Sequence, residues 1–294
     1  MSISLETITQ EYEFDCTARG HAINTLKAYR TALRQFIAFV NQHDVNTVDD
    51  LRTPIVRAFA AHCMRELSPG GAHARLRVVR SFLRWATQEG YFAQSPMDRV
   101  PMPRLSQKIL DAVPPQDMRK MMNAAHASDT PLKYQALLAV LYDTGIRVSE
   151  LHKLQLKDLL PSQCLFIREA KGGKDRVVPI SRPTFKLLNN YIRNERPDSA
   201  LPEIFLVDEI SQYSNISIYK LLERLCRRAG TKRYSPHTFR RGFAVNYLRN
   251  GGDVFTLQRI MGHSTLTMTN RYAAMGTDDI QDVHRRASPM QALR

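Results

Sequence analysis

The sequence predicts a mainly helical protein of two domains with one small β-sheet. The chain has 294 residues, which is more than a usual single domain. Apolar residues recur at helical spacing in most long segments of both halves. Between the halves, residues 95–115 contain five prolines, and each X-Pro pair resists helix. We therefore predict a helical domain at 1–95, an extended linker at 96–113 and a second domain at 114–294.

The first domain is predicted to contain four helices. Apolar residues recur at intervals of three and four after Thr25, after Pro54 and after Ser68-Pro69. Proline suits the first position of a helix, because its missing N–H would have no partner there. Each of these segments therefore has one apolar face that can enter a common core.

Two of these helices carry basic residues along the opposite face. Steps of three and four residues bring such side chains to one side of a helix, and neither stripe contains an acidic residue. A charged stripe is most often solvated surface, and this alternative stays open. The functional alternative is contact with the phosphate backbone of a duplex. The two stripes are Lys27, Arg30 and Arg34 on the second helix, and His73, Arg77, Arg80 and Arg84 on the fourth.

Composition limits the class of partner. The chain has 42 Lys and Arg against 28 Asp and Glu, a net charge of +14 that indicates a polyanion partner. It contains no run of 18 apolar residues, and its acidic start is unlike a signal peptide, so we expect a cytoplasmic protein and no membrane partner. The four cysteines form no C-x-x-C pair, so neither a disulfide framework nor a metal site is expected.

The second domain opens with helices near 115–126 and 134–144, and Gly145 suits the end of the latter. Arg147 and Glu150 open the next helix, and further helices are predicted at 183–195 and 215–229. An arginine at a helix N-terminus is preorganised for a phosphate, because backbone N–H groups point the same way. The alternative for Arg147 is an ordinary surface arginine.

Residues 164–180 predict a β-hairpin. Gly172-Gly173 fits a two-residue turn that needs positive φ, which brings Lys171 and Lys174 to the tip. Lysines beside such a turn are commonly only solubilising. As functional candidates, Lys171 is the catalytic choice, while Lys174 and Arg176 are its nearby competitors and are favoured as phosphate contacts.

The stretch from Ser235 to Tyr272 contains two histidines and an arginine pair, and it ends on a tyrosine. His237 and Arg240 are three residues apart in a helix predicted at 237–249, so they leave the same face. A short helix follows at 253–260, with Asp253 as its N-cap and Gly262 past its end. A buried structural role is the alternative for His237.

These motifs resemble those of the tyrosine recombinase (phage integrase) family. The sequence H-T-F-R-R at 237–241, M-G-H-S-T at 261–265 and a tyrosine nine residues after that histidine resemble its C-terminal motif. T-G-I-R-V-S-E-L at 144–151 and the lysine beside the Gly-Gly turn resemble the first half of its signature. The resemblance spans roughly 111–285 and is of the Xer-like or mobile-element type. It implies a four-helix SAM-like core-binding domain followed by an α+β catalytic domain.

The resemblance also implies roles for individual residues. Tyr272 would be the nucleophile and Glu150 would support the arginines, while the other catalytic residues would be Arg147, Lys171, His237, Arg240 and His263. Arg241 would join the DNA contacts. No metal or other cofactor is implied, and the partner would be a double-stranded recombination site bound by a homotetramer on synapsed DNA.

The function expected from this resemblance is site-specific DNA recombination through a 3′-phosphotyrosyl intermediate, serving integration, excision or dimer resolution. One alternative is relaxation by a type IB topoisomerase, which uses the same chemistry without synapsis. Another is a non-catalytic DNA-binding relic, against which all six catalytic positions hold competent residues. The tail after Tyr272 is expected to dock either in cis or on a neighbouring protomer.

Overall fold

The structure is a computed structural model that describes residues 2–104, 112–168 and 175–262. Contacts along the chain divide it into two compact units, residues 1–108 and residues 109–294. Within the described residues both units are mainly helical, and a sheet of three short strands belongs to the second. This confirms the predicted fold class. None of the described helices is both long enough and apolar enough to cross a bilayer.

The first unit contains the four predicted helices around one core. Leu33, Phe36, Phe59, Leu76 and Phe82 are all at most 1% exposed and pack together. The apolar stripes seen in the sequence therefore face inward, and the basic stripes face outward. The helices are α1 (Leu5–Ala18), α2 (Ile23–Asn41), α3 (Thr53–Glu66) and α4 (Pro69–Gln88).

The start of the proline-rich segment packs on this same core. Met97 and Val100 are each 1% exposed and belong to the first unit's apolar cluster. The guanidinium of Arg80 donates to the carbonyl oxygen of Val100 at 3.1 Å. The chain thus remains with the first unit as far as Val100, and the domain limits predicted above remain a proposal.

The second unit is built around the helix at Pro131–Thr144, which is buried on most sides. Residues 136, 137, 138, 140 and 141 of this helix are fully buried, as expected for a helix that is apolar all round. It packs against the helices at Pro115–His126 and Arg182–Asn194 and against the one that carries His237. The helices are α5 (Pro115–His126), α6 (Pro131–Thr144), α7 (Val148–Leu151), α8 (Arg182–Asn194), α9 (Asn215–Arg228), α10 (Pro236–Arg249) and α11 (Val254–Met261).

Three short strands form an antiparallel sheet, with the second strand in the middle. The strands are β1 (Leu159–Leu160), β2 (Cys164–Ile167) and β3 (Arg176–Pro179). Leu165 lies opposite Val178, and both are fully buried. The two strands of the predicted hairpin are therefore present, whereas β1 was not predicted. The predicted Gly172-Gly173 turn lies outside the described residues.

Glycines end the helices α6 and α11. Gly145 has φ 57° after α6, and Gly262 has φ 63° after α11, so both adopt the left-handed conformation that glycine favours. A Cβ on Gly145 would lie 2.6 Å from Cδ1 of Phe243 on α10. Glycine at this position lets α10 pack directly on the end of α6.

We expect Leu137→Ala to lower the free energy of unfolding of the second unit by about 2–5 kcal/mol, because it leaves a cavity in α6. Urea unfolding followed by circular dichroism measures the change. Leu156→Ala is the matched control, because Leu156 is 37% exposed, and we expect a change within about 0.5 kcal/mol. Equal losses from the two substitutions would contradict the central position of α6.

Candidate active site

The carboxylate of Glu150 holds two arginines in the second unit. Arg147 donates from Nη1 to Oε1 at 2.9 Å and from its backbone N–H to Oε2 at 2.8 Å. Arg176 donates from Nη1 to Oε1 at 2.9 Å and from Nη2 to Oε2 at 2.7 Å. The Glu150 side chain is only 5% exposed. A buried carboxylate is thus satisfied by two guanidiniums and one backbone amide.

Local structure explains how these groups meet. Arg147 is the N-cap of α7, and Glu150 is three residues further on, where its carboxylate can return to the N-cap amide. Arg176 is the first residue of β3, opposite Ile167 of β2. The sheet therefore delivers the second guanidinium to the same carboxylate.

The C-terminal end of α11 binds three arginines, which we call the arginine clamp. The last carbonyl groups of a helix have no partner within it and carry partial negative charge, so cations are favoured there. Each arginine of the clamp binds a different carbonyl oxygen: Arg176 Nε binds Ile260 at 2.7 Å, Arg240 Nη2 binds Met261 at 2.7 Å and Arg147 Nη2 binds Gly262 at 3.2 Å.

Arg240 also connects α11 to the end of α6. Its Nη1 donates to the carbonyl oxygen of Gly145 at 2.7 Å, and the residue is 6% exposed. Its guanidinium therefore has a fixed position between two helix ends. Arg147 and Arg240, both predicted to be catalytic, are brought together in this way.

His237 lies in the first turn of α10, one turn before Arg240. Partial desolvation lowers the pKa of His237, and the positive charges of Arg241, Arg240 and Arg147 lower it further. The imidazole is consequently neutral at neutral pH and able to accept a proton. The effect of Arg240 and Arg147, which belong to the clamp, indicates that His237 shares the electrostatic environment of the clamp.

The pKa of Glu150 is shifted in the opposite direction to that of most buried carboxylates. Burial by itself raises the pKa of Glu150, but the hydrogen bonds and charge of Arg176, followed by the backbone and side-chain hydrogen bonds of Arg147, outweigh burial and hold the pKa below its ordinary value. The carboxylate is therefore ionised at neutral pH. It binds both Arg147 and Arg176, and its role in supporting the active-site arginines stays a prediction.

The remaining candidates of the second unit divide into two groups. Arg241 is exposed on α10, close to His237. The other four candidates lie outside the described residues, so their roles remain predictions: Lys171, Lys174, His263 and Tyr272.

The side chain of Arg176 is bound within the protein. Arg176 was expected to contact phosphate, but its side chain is 9% exposed and Nε, Nη1 and Nη2 all donate within the protein. The sequence did not reveal the pairing of Arg176 with Glu150, because Arg176 stands among other basic residues. The pairing depends on the position of β3 in the fold. Strand alternation gave a signal, since Arg176 shares a face with the buried Val178 and Ile180.

The basic stripes of the first unit face outward. Their arginines and Lys27 are exposed, while His73 is partly buried. Glu13 of α1 forms an ion pair with Arg30 at 2.8 Å, so an acidic neighbour comes from another helix although the stripe itself contains none. Exposed ion pairs contribute little free energy, so this contact leaves Arg30 able to bind phosphate.

The class of protein follows from the families that the sequence matches. Residues 112–277 match the phage integrase family, and residues 12–90 match the phage integrase N-terminal SAM-like domain. The first match alone spans more than half of the chain. The chain therefore belongs to the phage integrase family.

Relatives resemble the chain over most of its length. Tyrosine recombinase XerD of Listeria innocua is 27% identical over 281 residues, covering 92% of this chain and 94% of the relative. Tyrosine recombinase XerC of Pelobacter propionicus is 28% identical over 279 residues, covering 93% and 92%.

Two solved structures have the same fold. The Tn1549 transposon integrase in complex with transposon right end DNA has a TM-score of 0.78 at 20% identity, covering 98% of this chain and 100% of that one. A lambda integrase tetramer bound to a Holliday junction has a TM-score of 0.77 at 17% identity, covering 92% and 77%. At such identities the likeness concerns the fold alone.

We expect Glu150→Gln to destabilise the second unit at neutral pH by on the order of 3 kcal/mol, because it leaves two enclosed guanidiniums without a counter-charge. The pKa of Glu150 lies below the ordinary 4.5, so its stabilisation is complete above about pH 4.5. That stabilisation is lost as pH falls through the lower folded-state pKa. Urea unfolding between about pH 3 and pH 8 measures the difference in free energy of unfolding between wild type and variant. We expect this difference to become smaller only at the acidic end of the range.

Glu223→Gln is the control for this measurement. Glu223 forms an exposed ion pair with Arg233, so its loss should change the free energy of unfolding by less than about 1 kcal/mol. A difference for Glu150→Gln that stayed constant down to the lowest pH would contradict the depressed pKa.

Proposed function

We propose that this protein is a site-specific DNA recombinase that cleaves and rejoins strands through a 3′-phosphotyrosyl intermediate. The observation that carries the proposal is the placement of Arg147 and Arg240 on neighbouring carbonyls at the end of α11, with His237 within their electrostatic reach. Membership of the phage integrase family and similarity to proteins named tyrosine recombinases support the same reaction.

The arginines would stabilise the charge that develops on the phosphate. Attack on a phosphodiester concentrates negative charge on the non-bridging oxygens, so fixed cations lower the barrier. Arginine remains charged at any working pH and donates as a planar fork. Arg147 is fixed by Glu150 and Arg240 by two carbonyls, so little reorganisation accompanies the reaction.

Tyr272 would supply the nucleophile. Ionising a tyrosine of ordinary pKa near 10 at pH 7 costs roughly 4 kcal/mol, which the neighbouring cations and a base must offset. His237 is suited to be this base, because its lowered pKa leaves it neutral and ready to accept the phenolic proton. His263 would donate a hydrogen bond to the phosphate.

The departing 5′-oxygen needs a proton, which Lys171 would provide. Cleavage breaks the bond from phosphorus to this oxygen and forms a bond from phosphorus to the tyrosine oxygen. The phosphotyrosyl ester keeps the energy of the broken bond. Rejoining by a 5′-hydroxyl therefore requires neither ATP nor a metal ion.

The substrate would be a double-stranded recombination site. The net charge of +14 and the exposed stripes on α2 and α4 favour contact with the phosphate backbone. Lys174 and Arg241 would add contacts beside the catalytic residues. We propose a homotetramer on two synapsed duplexes in the cytoplasm, acting in integration, excision or dimer resolution.

We expect Tyr272→Phe to retain DNA affinity and to lose all covalent adduct, because only the nucleophilic oxygen is removed. Trapping on labelled DNA followed by denaturing electrophoresis measures the adduct. Tyr247→Phe is the control and should retain it. Tyr234 is a poor substitute nucleophile, since it is 2% exposed and its hydroxyl binds Asp117. An adduct formed by Tyr272→Phe would contradict the assignment.

Recombination between two sites on separate DNA molecules distinguishes a recombinase from a topoisomerase. The wild type should exchange strands between differently labelled duplexes. Relaxation of supercoiled DNA without any exchange would favour the topoisomerase alternative. Binding without either product would favour a non-catalytic relic.

We expect Lys171→Ala to cleave ordinary DNA slowly. Its cleavage rate should recover on a strand whose bridging 5′-oxygen is replaced by sulfur. A thiolate leaves readily without a proton, because its conjugate acid is far stronger than an alcohol. Single-turnover cleavage rates on the two substrates measure the recovery. Arg147→Ala should not recover, because its contribution is to the non-bridging oxygens.

Lys174→Ala is the local control and should show no selective recovery. Recovery of Lys174→Ala alone would move the proton donor to that lysine. Recovery of neither variant would remove the donor from the hairpin altogether.

A further inference from the structure

Arg176 on β3 contacts both α7 and the end of α11, from a position where the sequence predicted phosphate binding. We propose that Arg176 is a positioning residue for strand cleavage, which fixes Arg147 through Glu150 and fixes the end of α11 through the carbonyl of Ile260. The inference rests on the proposed function and adds to it a residue that does not touch the DNA.

The first support is the way in which Arg176 orients Glu150. Its two Nη atoms bind both carboxylate oxygens, at 2.9 and 2.7 Å, and thereby define the plane of the carboxylate. Arg147 Nη1 binds Oε1, the same oxygen that Arg176 Nη1 binds. A rotation of the carboxylate would therefore move the guanidinium of Arg147.

The second support is the contact between Arg176 and the turn after α11. A Cβ on Gly262 would lie 3.2 Å from Nη1 and 3.3 Å from both Cδ and Cζ of Arg176. The guanidinium thus lies directly against the glycine whose carbonyl binds Arg147. Because Arg176 Nε also binds the carbonyl of Ile260, Arg176 contacts the helix end at two places.

The third support is the pattern of exposure. The Arg176 side chain is 9% exposed, whereas that of Arg147 is 21% exposed. Arg147 is the more accessible of the two guanidiniums that share Glu150, so it is the one suited to meet a phosphate. Arg176 lies behind it and acts through it.

Lysine cannot reproduce this geometry. The guanidinium presents donors in a rigid fork, and Arg176 uses three separate nitrogens on the two oxygens of Glu150 and the carbonyl of Ile260. A single ammonium group retains the charge but cannot make these three bonds in the same directions. Arg176→Lys therefore tests position separately from charge.

The experiment compares single-turnover cleavage by Arg176→Lys at saturating DNA on two substrates. One has an ordinary scissile phosphodiester, and the other has a methylphosphonate, which carries no negative charge for Arg147 to neutralise. We expect cleavage of the phosphodiester to slow by about tenfold to a hundredfold, with the DNA dissociation constant changed less than about twofold. On the methylphosphonate the loss should be several times smaller, as it should be for Arg147→Ala.

Arg196→Lys is the matched control in the same unit. Arg196 also uses its guanidinium on backbone carbonyls, donating from Nη2 to Leu201 at 2.6 Å and to Glu203 at 2.9 Å. Arg196→Lys should lose stability in a similar way and cleave both substrates at the wild-type rate. A thermal unfolding curve for each variant, recorded below the assay temperature and above it, separates loss of folded protein from loss of rate.

Equal slowing of Arg176→Lys on the two substrates, or the same rates as Arg196→Lys, would overturn the inference while leaving the proposed function intact. Weaker DNA binding with an unchanged saturated rate would return Arg176 to the phosphate contact first predicted. Absence of a covalent adduct from the wild type would instead overturn the proposed function, and this inference with it.

Discussion

The enclosed carboxylate of Glu150 is the charge on which the arrangement of the site depends. Removing a carboxylate from water costs several kcal/mol unless opposite charges and hydrogen bonds replace the solvent. Here the replacement comes from Arg147 and Arg176, which originate on α7 and β3 and which both continue to the end of α11. One satisfied carboxylate thus ties three elements together, and displacing any of them would leave a charge without its partner.

The end of α11 adds a second constraint. Carbonyl groups hold the arginines of the clamp in position, yet a carbonyl carries no net charge and does not cancel theirs. Within the described cluster the three guanidiniums face one carboxylate, so positive charge remains in excess. The lowered pKa of His237 has part of its cause in this excess. The same excess is what a phosphate would meet, so holding the arginines and attracting the substrate are compatible.

The parts of the structure that local signals determine were predictable from the sequence. The limits of α5, the N-cap Asp253 and the left-handed Gly145 and Gly262 follow from residues within a few positions of each feature. The pairing of Arg176 with Glu150, the ion pair between Glu13 and Arg30 and the strand β1 depend on segments that meet only after folding. The family resemblance predicted Arg147 and Arg240 as site residues, but it contained no information about the carbonyls that hold them.

The composition of this cluster argues for chemistry over stability. Replacing enclosed ion pairs by well-packed apolar residues is often neutral or stabilising, so an ionic cluster is weak evidence for a structural role alone. The end of α11 already has a glycine in the left-handed conformation, and the N–H of Gly262 binds back to the carbonyl of Arg259 at 3.2 Å. Ending the helix therefore did not require three arginines. What three arginines add is fixed positive charge at a helix end, and this is the property that a reaction at a phosphodiester needs.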